Sequence, residues 1–182
     1  MRAATIAGVV AALALPAPAR ADSAPQIIIE GRTAWTILGT KTPTGGFTPG
    51  ASASYLFGVG EGVALGLGAD IGVFGFGGAP RWIGVLGGPT ARLSIKAGNA
   101  PWAISIGVAA SFGRIPVCTP WPEPICPRFV GLFPSATLAG AYVFDSGLMI
   151  GGSFAARLVS TLIGTQGSYE PALTVGVYLS RK

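Results

Sequence analysis

The residue types that carry most enzyme chemistry are scarce in this chain of 182 residues. Histidine is absent altogether, which removes the usual general base for a serine or cysteine nucleophile and a common metal ligand. No group of carboxylates has metal-binding spacing. The run Gly58-Val59-Gly60-Glu61-Gly62 could pass for a phosphate loop, but no Lys-Ser or Lys-Thr follows it and no helix pattern continues it, so it reads as a turn. These absences leave no catalytic residue, no metal site and no cofactor, and the chain is not expected to be an enzyme.

Two other sets of residues have chemical consequences. Cys118 and Cys126 bracket a proline-rich segment, Cys118-Thr119-Pro120-Trp121-Pro122-Glu123-Pro124-Ile125-Cys126, that cannot form a regular ladder. In an exported protein such a pair is expected to form a disulfide, with roughly 2 to 3 kcal/mol of stabilisation on the chain-entropy account. The second set is Glu30, Arg32, Asp70, Arg92, Lys96 and Arg157, six charges embedded in otherwise apolar or small-residue segments. Buried charges need partners. Either these six pair and plug an interior, or they line a narrow watery path with a slight preference for anions, and the elements that hold them decide between the two.

Export is written at the N-terminus. Met1 and Arg2 precede an apolar run from Ala3 to Leu15, followed by Ala17-Pro18-Ala19-Arg20-Ala21. That run is too short to span a bilayer, and Ala19-Arg20-Ala21 suits signal peptidase, so residues 1–21 are expected to be removed and residues 22–182 to form one domain. No cysteine follows the apolar run, which argues against a lipid anchor. Without Arg2 and Arg20 the bases fall from 12 to 10 against 7 acids, a formal charge of +3 that does not call for a nucleic-acid partner. Only 10 % of the chain is charged and 50 % is apolar, whereas a soluble domain carries about a quarter charged residues. Something other than water is expected to face much of the surface.

The clearest element runs from Trp102 to Gly113, where Trp102, Ile104, Ile106, Val108, Ala110 and Phe112 alternate with Ala103, Ser105, Gly107, Ala109, Ser111 and Gly113. A period of two is a strand signature, since a helix would mix the two sets on every side. Similar alternation predicts strands over Val63–Phe74, Ile83–Ala97, Ser135–Phe144, Leu148–Ser160 and Ala172–Leu179, and more weakly over Ile27–Leu38 and Ala51–Val59. The connections alternate in length. Gly60–Gly62, Gly98–Pro101 and Asp145–Gly147 read as short turns, while Gly39–Pro49, Phe76–Arg81, Pro116–Arg128 and Gly164–Glu170 read as longer loops. About eight strands joined this way predict an all-β, up-and-down antiparallel transmembrane barrel with the cysteine-bearing segment as an external loop.

Charge placement is the sharpest test of that expectation, because a charge on the lipid face near mid-membrane costs up to about 2 to 4 kcal/mol. By strand phase, Glu30, Arg32, Asp70, Arg92, Lys96 and Arg157 all fall opposite the large apolar residues, in the barrel interior. The remaining charges, Glu170 among them, are assigned to loops, turns, termini or strand ends. Tyr55, Phe57, Trp102, Tyr142 and Phe144 take the outward phase near the short turns, and Trp35 and Phe112 near the long loops, as two interfacial girdles would. Pro89 and Pro134 each remove a ladder donor, which predicts a bulge around Gly87-Gly88-Pro89 and places Pro134 just before its strand. An eight-stranded barrel has an interior just wide enough for side chains to fill, which favours the plug, although inward positions that are mostly Gly, Ala and Ser leave more room than bulky residues would.

In this pattern the sequence resembles the small eight-stranded outer-membrane barrels typified by OmpA and OmpX, across nearly all of residues 22–182. Proteins of that class usually end in an aromatic residue that signals to the barrel-assembly machinery. Here Thr174, Gly176, Val177 and Leu179 fit the rhythm of that signal, while the chain ends in Arg181-Lys182. The resemblance implies residence in a bacterial outer membrane, with membrane lipid and the assembly machinery as partners. Two roles follow: a structural or surface-interaction protein with a plugged lumen, meeting a partner through Trp121 on its proline-rich loop, or a small, weakly anion-preferring pore or amphiphile-binding barrel. Barrel enzymes that act on lipid A employ His, which this chain lacks.

Overall fold

The computed structural model describes residues 26–38, 44–76, 82–96, 100–116, 128–161 and 164–180. Residues 1–21, the Cys118–Cys126 segment and Trp121 lie outside the described residues. Eight strands follow in chain order: β1 Gln26–Leu38, β2 Thr44–Gly60, β3 Val63–Phe76, β4 Trp82–Lys96, β5 Trp102–Pro116, β6 Arg128–Val143, β7 Leu148–Thr161 and β8 Gly164–Ser180. Each pairs antiparallel with its successor and β8 returns to β1, closing an up-and-down barrel with no free edge.

Register fixes the barrel's shape. A path across the ladders from Ile27 passes through Tyr55, Leu67, Ala91, Val108, Ala136, Ala156 and Tyr169 and comes back to β1 at Ile37, ten residues further on. A stagger of that size over eight strands tilts them by about 40° from the axis, with an interior just wide enough for side chains. Each residue then advances roughly 2.5 Å along the axis.

The wall is inverted relative to a soluble protein. Ile104, Ile106, Val108, Leu67, Ile71, Leu138, Leu173 and Val175 all face outward and exposed, whereas Thr36, Thr48, Ser111, Ser168, Arg157 and Glu170 are buried inside. Trp102 and Phe112, both outward on β5, stand ten residues apart, roughly 25 Å along the axis, which matches the apolar band of a membrane barrel. Trp102 packs edge-on against Tyr142, and Tyr142 against Phe144, with ring centroids 5.0 and 4.8 Å apart. Gly62 and Gly147 close two of the short turns with φ of 69° and 83°, a left-handed backbone that favours glycine.

Four local expectations are corrected. The loop placed at Gly39–Pro49 ends by Thr44, where β2 begins, and the loop placed at Gly164–Glu170 is the first part of β8. These segments carry the Gly and Pro of a loop, yet cross-strand partners give their backbone groups a ladder. Pro134 lies within β6; the β6–β7 ladder begins at Ser135, so the missing donor falls where β6 has only β5 as a neighbour. No bulge forms at Gly87-Gly88-Pro89: Gly87 faces Phe112 and Thr90 faces Ala109, so the register is the same on either side of Gly88 and Pro89, where the β4–β5 pairing is interrupted. The register shift lies instead at Gly58 and Gly60, beside a short turn.

Candidate functional site in the barrel lumen

Inward-pointing residues stack in layers along the axis. At the short-turn mouth a cavity of about 290 Å³ is lined by Gln26, Glu61, Ser94, Lys96 and Tyr178 among others, and the Tyr178 hydroxyl donates to the side-chain oxygen of Gln26. Above it lies an apolar layer of Ile28, Leu56, Ala141 and Met149. Lys96 is therefore below that layer, in the mouth, and not among the deeper charges with which its strand phase groups it.

The next layer holds Glu30, which accepts hydrogen bonds from Arg92 and from the Ser52 hydroxyl, the latter at 3.2 Å. β1 and β2 bring Glu30 and Ser52 directly opposite one another, while Arg92 reaches across the lumen from β4. One layer further, Arg32 pairs with Asp70 at 3.4 Å, and the Ser111 hydroxyl donates to the other oxygen of Asp70 at 3.5 Å. Between these two pairs lies a cavity of about 60 Å³ lined by Glu30, Arg32, Asp70 and Arg92 with Ser and Thr residues. That is room for a few waters and no more. A smaller void of about 20 Å³ separates the Glu30 layer from the apolar layer below.

Toward the long-loop end the lumen side chains are almost fully buried. Arg157 on β7 and Glu170 on β8 form a two-pronged pair, Nε to Oε1 at 3.2 Å and Nη2 to Oε2 at 3.3 Å, and the Ser168 hydroxyl adds a hydrogen bond to Glu170 at 3.4 Å. The side chains are 0 % and 1 % exposed. Thr36 and Thr48 hydrogen-bond to each other nearby, and Leu86 and Phe133 fill the remaining space, each 1 % exposed.

The small inward residues do not leave the lumen roomy. A Cβ on Gly66 would meet the end of Leu56, one on Gly113 would meet Leu86, and one on Gly50 would lie 2.8 Å from Nε of Arg32. In each case a glycine on one strand makes space for a large side chain on the preceding strand, which fills it. Of the six charges singled out by phase, the lumen brings together Glu30 with Arg92 and Arg32 with Asp70, and places Arg157 one layer away. Sequence reading missed the partner of Arg157. Glu170 sits in the alternation Ser168, Glu170, Ala172, Thr174, Gly176 against Tyr169, Pro171, Leu173, Val175, a signal hidden by Pro171 and by the loop assignment.

No protein-family model matches the sequence, and no curated protein matches it. Solved structures do match in fold. Neisserial surface protein A is 15 % identical with a TM-score of 0.66, over 83 % of this chain and 96 % of that one. The N-terminal β-barrel domain of Pseudomonas aeruginosa OprF is 12 % identical with a TM-score of 0.58, over 85 % of this chain and 97 % of that one. The outer membrane enzyme PagL is 11 % identical with a TM-score of 0.54, over 82 % of this chain and 98 % of that one. The fold is that of the small eight-stranded outer-membrane barrels, a scaffold that serves both enzymes and other proteins and so does not itself assign a role.

Proposed function

We propose that this chain is an integral protein of a bacterial outer membrane whose lumen is closed and whose role is structural or carried by its outer surface and loops. The observation that supports this most directly is the filling of the lumen. Apolar side chains lie at both ends, three ion pairs lie between them, and the central cavity is only about 60 Å³. In this reading residues 1–21 direct export, the barrel-assembly machinery inserts residues 22–182, and Cys118 and Cys126 form a disulfide that holds Trp121 ready for a surface partner at low entropic cost. No reaction is assigned. The sequence has no His, and the lumen offers charges already matched in pairs.

A second reading, a narrow porin-like path with a slight preference for anions, draws on the succession of cavities, the mouth cavity and the small void sharing Ser94 and Tyr178 in their linings and the small void and central cavity sharing Glu30 and Arg92. Planar-bilayer recordings separate the two. A closed lumen gives no discrete openings above the leak of the bare bilayer, whereas stepwise, anion-selective openings would replace the plug with the pore.

A further inference from the structure

Four prolines within strands interrupt the wall in a regular way: Pro49 on β2, Pro89 on β4, Pro134 on β6 and Pro171 on β8, all facing outward and exposed. The register places them within roughly 7 Å of one another along the axis, just short of Phe112. In an antiparallel strand a residue turns both its N–H and its C=O to one neighbour, and the next residue turns to the other. The bonds from Lys96 N–H to Gly62 O, Phe144 N–H to Leu148 O and Tyr178 N–H to Gly147 O fix that phase. Each proline therefore directs its missing donor at the following strand: β3, β5, β7 and, round the closure, β1. The ladders are broken there. Pairing skips Thr48 and Pro49 against β3, Gly88 and Pro89 against β5, and Glu170 and Pro171 against β1. Between β6 and β7 it stops at Ser135 and is not resumed among the described residues. The other four ladders pass the same prolines unbroken, with Thr33 facing Pro49, Ala69 facing Pro89, Ala110 facing Pro134 and Phe154 facing Pro171.

The unbroken pairs, β1–β2, β3–β4, β5–β6 and β7–β8, are those joined at the long-loop end. Beyond the prolines the wall is thus four hairpins weakly tied to one another, whereas toward the short turns every strand is paired on both sides. We propose that this outer half works as four hairpins that part from one another, and that the wall opens sideways toward the bilayer at the β6–β7 seam. That seam is backed by the buried, inward side chains of Phe133 and Val159 and not by backbone bonds between the two strands. One proline would cut one ladder; four on alternate strands, on one face and at one depth, make a hinge line. Because the line lies just short of Phe112, backbone groups freed by opening are close to the headgroup region, where water can take them. The direction of opening rests on the reading of the chain as a membrane barrel.

The test is residue-resolved amide hydrogen exchange of the full chain folded into phosphatidylcholine nanodiscs. Beyond the prolines, Phe47, Val85 and Tyr169 turn their amides to the neighbouring hairpin, at Gly75, Arg114 and Ile37. Thr48, Leu86 and Ser168 turn theirs to the partner strand of their own hairpin, at Ala34, Gly72 and Arg157. The first three are expected to exchange about tenfold faster than the second three, and the amide of Leu132, which faces the seam, at least as fast as any of them. Pro134→Ala returns a donor to the seam and is expected to slow Leu132 toward the rate of Phe133, whose amide faces β5. Equal exchange in the two sets means a rigid wall and overturns the hairpin motion. A Leu132 rate unmoved by Pro134→Ala overturns the seam. Heat-modifiable gel migration checks that both proteins are folded. A chain that never inserts removes the membrane reading and the sideways opening with it, and the migration assay distinguishes that outcome from a rigid wall.

Discussion

Arg157 and Glu170 meet diagonally from adjacent strands, Arg157 lying opposite Ser168 and Glu170 opposite Ala155, and pair through two contacts of 3.2 and 3.3 Å with almost no exposure to solvent. Removing one member of such a pair leaves an uncompensated charge in a buried layer, which costs about 3 to 5 kcal/mol. Glu170→Leu alone is therefore expected to lower the urea midpoint of the folded barrel sharply. Arg157→Met combined with Glu170→Leu is expected to recover most of that loss, because an apolar pair of similar volume needs no partner. Urea titration in detergent micelles, followed by the heat-modifiable band, reads both. A double variant as weak as the single one would mean that the pair does more than neutralise itself.

The glycines that receive large neighbours give a second prediction. Gly66→Ala meets only the flexible end of Leu56, so the cost, on the order of 1 to 3 kcal/mol for overpacking, is expected to be relieved by Leu56→Ala in the same chain. Gly113→Ala meets the backbone of β4 as well as Leu86, so Leu86→Ala is expected to relieve little of its cost. Unfolding of the four proteins under one set of conditions checks the contrast.

A third prediction concerns the outer wall. Ile106 lies between Trp102 and Phe112 on β5, four residues from the first and six from the second, and is 56 % exposed. If hydrocarbon surrounds it, Ile106→Arg costs about 2 to 4 kcal/mol of folding in lipid vesicles. If water surrounds it, the change is close to neutral, and equal unfolding midpoints for wild type and variant would contradict the membrane reading.

The plug gives a fourth. The central cavity is bounded by Glu30, Arg92, Arg32 and Asp70, and the first two also border the small void beneath it. Arg92→Ala joins the two spaces, yet the Ile28, Leu56, Met149 layer on one side and Arg157 with its neighbours on the other still close the lumen, so the variant is expected to be as silent as the wild type in a planar bilayer. Openings in the variant alone would mean that Arg92 itself is the block and that those layers are not.

The parts of this fold that were legible in sequence are those whose signal is local. From Trp102 to Gly113 every second residue is apolar and all of these but Ala110 are large, and the same phase placed Glu30, Arg32, Asp70, Arg92 and Arg157 inside without knowledge of any partner. Where the signal was non-local, reading failed. Thr44–Gly50 has the composition of a turn and becomes a strand only because residues 32–38 pair with it. Glu170 beside Pro171 reads as loop until β7 supplies Arg157. The fullness of the lumen was hidden for the same reason: Gly66 looks like empty space, and its occupant Leu56 belongs to the preceding strand, ten residues earlier in sequence. Lys96 shows the reverse limit, since phase assigns a face and not a depth.

The most direct measurement is the gel migration of the chain from Asp22 onward, refolded into detergent and loaded with and without boiling, together with its far-ultraviolet circular dichroism. A closed membrane barrel gives a strand-dominated spectrum and a folded band that shifts on boiling. A helical spectrum, or a folded protein that remains soluble with no detergent and shows no shift, would contradict the barrel in its membrane and the plugged lumen with it.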